Sequence, residues 1–171
     1  MPLSVLFADV RGYTKLTEGL PPDQVPGLMN RFYETASNAL LRHESLLGQV
    51  EGDNVMALFV PGLAGKDYRR KAVEAARSVL HEVDWLDLGI GISSGEQFVG
   101  NVGGGGYKDF TALGDVTNTA ARLTKIAGAR EILVDAATYE AVADRYPAAE
   151  GRRLELKGKA EPVESFSIPL D

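Results

Sequence analysis

The chain has 171 residues, 44% hydrophobic and 25% charged, and its 19 glycines and 8 prolines are scattered rather than gathered into tracts. This is globular composition, which excludes a disordered or fibrous chain, and the length suits one domain with its own core, so residues 1–171 are read as a single domain. A net charge of −6 gives no broad positive field for a nucleic-acid backbone, and the lack of cysteine excludes disulfides, thiolate metal sites and a cysteine nucleophile.

Leu3 to Val10 is short, apolar and partly β-branched, and reads as a buried strand that runs into the loop Val10-Arg11-Gly12. Val25, Leu28, Met29, Phe32, Tyr33, Ala36 and Leu40 recur at helical spacing after Pro21 and Pro22, which predicts a long amphipathic helix. Leu46 to Glu51 and Val55 to Val60 flank Gly52-Asp53-Asn54, a pattern that predicts two strands joined by a tight turn. A second helical repeat follows Asp67, through Val73, Ala76, Leu80 and Val83. Strands are then expected over Leu86 to Ile92 and Gln97 to Val102, with a turn at Ser93-Ser94-Gly95. The order β-α-β-β-α-β predicts a ferredoxin-like α+β sandwich with helices on one face of an antiparallel sheet.

Beyond that core, Phe110 to Leu113 reads as a strand, Asp115 to Ala127 as a helix stopped by Gly128, and Glu131 to Val134 as a strand followed by a helix from Asp135. Strands near Arg153 to Leu156 and Val163 to Ile168 complete a C-terminal αβ extension. The run Gly103 to Gly106 does not open a helix, so it fits neither a Walker nor a dinucleotide loop and is assigned to a hairpin tip. The first nine residues carry no basic n-region, and the longest apolar stretch falls far below the roughly 18 residues of a membrane span. A cytoplasmic domain with no membrane segment and no nucleic-acid partner is expected.

Chemistry can sit in three places. Asp9 ends the first strand and Asp53 occupies the hairpin turn. If these strands are neighbours, both carboxylates emerge at one edge and can share hard cations; the alternative is that each is an ordinary turn or cap residue. Gly12, Tyr13 and Thr14 enter a helix whose first N–H groups could hold a phosphate, or Thr14 is simply its N-cap. Asn118 and Arg122 stand four apart on one helix, away from the stripe Val116, Ala120 and Leu123. Together they suit a ribose and a phosphoryl group, or they are a solvated helix face. Lys157 and Lys159 flank Gly158 in a pair that is ordinarily exposed surface, and His43 and His81 have no partners at metal-ligand spacing.

Four segments in order, Phe7 to Thr14, Glu51 to Ala57, Val99 to Gly103 and Asp109 to Leu123, resemble the class III adenylate and guanylate cyclase catalytic domain, and the resemblance runs from about Val5 to Ile168. It implies a nucleotidyl cyclase that turns ATP into 3′,5′-cyclic AMP and pyrophosphate, with two Mg²⁺ or Mn²⁺ ions per site held by Asp9, Asp53 and the Val10 carbonyl. It further implies that Asn118 orients the ribose, Arg122 stabilises charge at the α-phosphate and Lys159 reaches the triphosphate. The family's homodimer has metal carboxylates and the Asn/Arg pair on opposite protomers, so one chain alone would be inactive. The family's base-reading lysine falls on Gln49 and its partner position on Thr111. An amide and a hydroxyl there suit adenine, while an amide could also turn to guanine, so GTP is the alternative substrate. A catalytically weak nucleotide-binding module of the same fold is the other alternative. The family often has an arginine near the triphosphate where this chain has Lys108, which could replace it or face solvent. The acidic Gly-Gly hairpin of diguanylate cyclases is missing.

Overall fold

The computed structural model describes residues 1–102 and 109–170, with the side chains of residues 49, 51, 101, 102 and 109–113 excluded. The expected hairpin tip at Gly103 to Gly106 and Lys108 therefore lie outside the described residues, as do the side chains of Gln49 and Thr111.

In chain order the elements are β1 (Pro2–Val10), α1 (Tyr13–Glu18), a 3-10 turn (Pro22–Gln24), α2 (Val25–Arg42), β2 (Leu46–Glu51), β3 (Asn54–Phe59), α3 (Pro61–Ala64) and α4 (Tyr68–Glu82). There follow β4 (Leu88–Glu96), β5 (Phe98–Val102), β6 (Asp109–Leu113), α5 (Asp115–Ile126), β7 (Glu131–Asp135), α6 (Ala136–Glu140), β8 (Glu150–Leu154) and β9 (Val163–Ser167). One sheet has the order β2-β3-β1-β4-β7-β9-β8, and β5 pairs with β6 in a separate ribbon. Only β4 and β7 run parallel in the large sheet. The α+β sandwich and the C-terminal extension are as expected; β8 begins three residues earlier than the sequence pattern suggests, and β9 begins at Val163 as expected.

Two expectations change. Ser93-Ser94-Gly95 is not a turn: β4 continues through it to Glu96 and pairs with β1 along its whole length. Small polar residues fit here because the strand's hydroxyls are consumed internally. Ser94 Oγ lies 2.6 Å from Ser4 Oγ and 2.7 Å from Thr138 Oγ1, and Ser93 Oγ donates to Asp135 Oδ2 at 2.6 Å. Asp135 also caps α6 by accepting from the Thr138 N–H at 3.0 Å, so this network ties α6 to the sheet.

The second change concerns the faces. Leu6, Ala8 and Val10 of β1 pack with α2 and α4 in one core, whereas Leu3, Val5 and Phe7 join Val116 and Ala120 of α5 in another. Helices thus cover both faces, as befits a strand that is apolar at almost every position.

α5 lies unusually close to the sheet. A Cβ added at Gly91 would come within 2.4 Å of the Thr124 backbone nitrogen and 2.5 Å of the Ala120 carbonyl oxygen, and one at Gly95 within 2.9 Å of Val116 Cγ2. Thr124, fully buried, donates to Ala120 O at 2.7 Å and reaches Phe7 O at 3.4 Å. The helix that bears Asn118 and Arg122 is seated on glycine. Gly91→Ala is therefore expected to lower the unfolding free energy by about 2–3 kcal/mol, because the obstructing atoms are backbone and cannot rotate away. Urea denaturation measures this, and a loss below about 0.5 kcal/mol would contradict the close seating.

Candidate active site

β1 ends in Asp9, and the register sets Asp9 opposite Asn54 of β3 and Gly89 of β4. Asp53 sits in the turn just before β3, and its carbonyl accepts the Val10 N–H at 3.0 Å. The strand beside β1 is thus the second of the hairpin, β3, and this neighbour relation brings the two carboxylates together.

The Asp9 carboxylate is 17% exposed. Its Oδ2 accepts a hydrogen bond from Arg11 Nη2 at 2.9 Å, while its Oδ1 is buried and has no hydrogen-bond partner among the described residues. Burial first, then the charge of Asp53 and a proton the two carboxyls can share, together push the Asp9 acid up to about 6 against the opposing charges of Arg11 and Lys125. Tyr33 of α2 donates its hydroxyl to the Gly52 carbonyl and so braces the turn that carries Asp53. Burial first, then Tyr13 and Asp53, raise the Tyr33 phenol above its ordinary value. The sequence pattern shows Tyr33 as an apolar helix position and gives no signal of this brace.

Gly12, with φ 67°, is the N-cap of α1, so Thr14 is not the cap but an exposed residue inside the first turn. No side chain caps this short helix, which leaves the N–H groups of its first turn open.

The second cluster lies on α5. Asn118 is exposed and Arg122 half-buried, on the face turned away from the buried Val116, Ala120 and Leu123. A Cβ at Gly158 would come within 3.0 Å of both terminal nitrogens of Arg122, so the loop after β8 approaches the guanidinium only through glycine. A cavity of about 180 Å³ between Arg122, Lys125, Leu156 and Lys157 adjoins a wider one of about 420 Å³ lined by Lys157 and Lys159. Lys159 Nζ donates to Asp115 Oδ2 at 2.5 Å. The structure thus joins Asp9, Val10 and Asp53 in one cluster, and gathers Arg122, Lys157 and Lys159 around the loop after β8.

A divalent cation fits the first cluster. The donors are hard oxygens, and among the described residues no N–H or hydroxyl group donates to the buried Oδ1 of Asp9. Among the described residues no group of three or more His, Cys, Asp or Glu side chains could hold a metal. Two carboxylates without a closed cage are what Mg²⁺ commonly uses when substrate phosphates complete its coordination.

Residues 2–168 match the family model described as the adenylate and guanylate cyclase catalytic domain. The chain belongs to that family. The adenylyl cyclase CyaB from P. aeruginosa is similar in structure, with a TM-score of 0.89 and 27% identity over 98% of this chain and 93% of that one. The guanylyl cyclase Cya2 gives a TM-score of 0.86 at 27% identity, covering 98% of this chain and 91% of that one. An uncharacterised protein of Mycobacterium tuberculosis is 31% identical over 169 residues, 94% of this chain. The chain spans 31% of that relative's length. No helix among the described residues of this cyclase-family domain is long and apolar enough to cross a membrane.

The raised Asp9 acid has a thermodynamic consequence. The native state retains a proton that the unfolded chain releases, so between about pH 4 and about pH 6 the native state binds more protons and stability falls as pH rises. In metal-free buffer the melting temperature of the wild type is expected to drop across this window by more than that of Asp9→Asn. Parallel melting curves for the two proteins would contradict the desolvated pair.

Proposed function

We propose that this domain converts ATP to 3′,5′-cyclic AMP and pyrophosphate, at sites built between two copies of the chain. The observation that carries the reading is the Asp9–Asp53 pair at the end of the central strand, with a buried carboxylate oxygen left unpartnered. Family membership supports cyclase chemistry, and the likeness to CyaB and Cya2 is equally close in identity.

In the proposed site Asp9, Asp53 and the Val10 carbonyl hold two Mg²⁺ or Mn²⁺ ions. When bound, these supply positive charge to the attacking and leaving oxygens. The ribose 3′ oxygen forms a bond to the α-phosphorus, the bond from that phosphorus to the bridging oxygen of the β-phosphate breaks, and pyrophosphate leaves with the electron pair. The 3′-hydroxyl proton passes to solvent. Asn118 holds the ribose so that the 3′ oxygen lies in line with the leaving group, and the Arg122 guanidinium meets the charge that grows on the α-phosphoryl oxygens. Lys159 exchanges Asp115 for the triphosphate, and the open N–H groups at Gly12, Tyr13 and Thr14 offer further phosphate contacts. Gln49 donates its amide N–H to adenine N1, and Thr111 accepts from the exocyclic amine.

The pairing of protomers is part of the proposal. The metal-binding carboxylates and the α5 face of one chain belong to different sites, each completed by the other copy across a two-fold axis. Large apolar side chains left exposed on β2, β5 and α5, namely Val50, Phe98 and Ile126, are consistent with surface that a second copy covers.

Cyclic nucleotide production from ATP, and separately from GTP, with Mn²⁺ tests the reading. Cyclic AMP is expected, with a specific activity that rises with protein concentration. Asp53→Ala and Arg122→Ala should each lower kcat by about 10²–10³-fold. Cyclic GMP instead would make guanine the base read by Gln49 and Thr111, and no product from folded, dimeric protein would leave a nucleotide-binding module.

A further inference from the structure

The sequence assigns no role to Arg11, and the proposed chemistry does not use it. Yet its side chain is more completely engaged than that of any residue at the end of β1. Nη2 donates to Asp9 Oδ2 at 2.9 Å, while Nη1 donates to the carbonyls of Lys125 at 3.1 Å and Ala127 at 3.0 Å, at the C-terminal end of α5. These carbonyls are left over where the helix ends, and a guanidinium is the group that satisfies them with charge complementing the helix dipole. The slot is built for it. Gly89, directly opposite Asp9 in the register, forms its floor, and a Cβ there would come within 3.1 Å of the guanidinium carbon and of the Ala127 carbonyl oxygen. The Arg11 N–H is fixed as well, by the Asp87 carbonyl at 2.7 Å.

We infer that Arg11 is a positioning residue that anchors one oxygen of Asp9, leaves the other for a cation, and ties the carboxylate to the end of the helix bearing Asn118 and Arg122. The inference deepens the metal-site reading above and rests on it. The geometry favours an anchor over a counter-ion that metal would displace: the other arm of the guanidinium is held by two carbonyls, and the anchored and unpartnered oxygens of Asp9 are different atoms. A planar fork can serve a carboxylate and two carbonyls at once, which a lysine ammonium cannot do in the same geometry. Partners that hold a ligating carboxylate in this way typically contribute about 10–100-fold to metal affinity.

The test is a titration of the full chain with Mn²⁺ alone, without nucleotide, following the EPR signal of the free ion. Wild type, Asp53→Ala, Arg11→Met, Arg11→Lys, Gly89→Ala and Arg70→Met are compared, each checked for folding by circular dichroism. Arg70 pairs with Asp144 at 3.0 Å on the surface and controls for the loss of an ordinary ion pair. Arg11→Met should weaken Mn²⁺ binding about 10–100-fold, with Arg11→Lys failing to restore it, Gly89→Ala weakening it in the same direction and Arg70→Met unchanged. If Arg11→Met does not fold, Arg11→Lys and Gly89→Ala decide. Wild-type affinity in the Arg11 variants, with Asp53→Ala weakened, would overturn the role of Arg11 and leave the metal site standing. Equal binding by wild type and Asp53→Ala would overturn the metal site and the role of Arg11 with it.

Discussion

A carboxylate at the buried end of a central strand has to be held by something, because an ionised group removed from water without partners is costly. Asp9 is that group. β1 is flanked by β3 and β4 and covered on both faces by helices, so its last residues emerge from a rigid, dry support. Around Asp9 the chain arranges Arg11 on one oxygen, a second carboxylate nearby and a turn braced by Val10 and Tyr33. What it leaves unsatisfied is the other oxygen. A half-buried acid with one oxygen that receives no hydrogen bond from the described residues is chemically suited to the proposed cation.

Much of this was legible in the sequence for physical reasons. The apolar run of β1, the Gly-Asp-Asn turn and the helical spacing of α2, α4 and α5 are local signals that need no knowledge of the rest of the chain. Ser93-Ser94-Gly95 misled because serine and glycine favour turns when nothing else claims them, whereas here Ser4, Thr138 and Asp135 consume the hydroxyls and α5 requires the missing side chains. The placement of α5 on the far face was written in the two-sided apolarity of β1 and was hidden by the ferredoxin-like order of elements. Arg11 and Tyr33 were illegible for another reason. The carbonyls that Arg11 satisfies lie 114 and 116 residues away in sequence, and only the register that sets Gly89 opposite Asp9 opens the slot.

The site is also divided. Carboxylates gather at the end of β1, while the α5 face and the loop after β8 gather cations, with Gly158 admitting Arg122 and Asp115 holding Lys159. A cluster of negative charge suited to cations and a cluster of positive charge suited to phosphates are complementary in chemistry, and a second copy of the chain can present each to the other. In the proposed two-fold pairing both sites would form at once, and the activity would be a property of the assembly.

The most direct test of that account mixes two variants that are each inactive, Asp53→Ala and Arg122→Ala, and measures cyclic nucleotide formation. If sites are built from opposite protomers, the mixture regains activity up to about a quarter of the wild-type level, since about half the dimers are mixed and each of these has one intact site. No recovery, in folded variants that exchange subunits and beside an active wild type, would contradict a site shared between two chains.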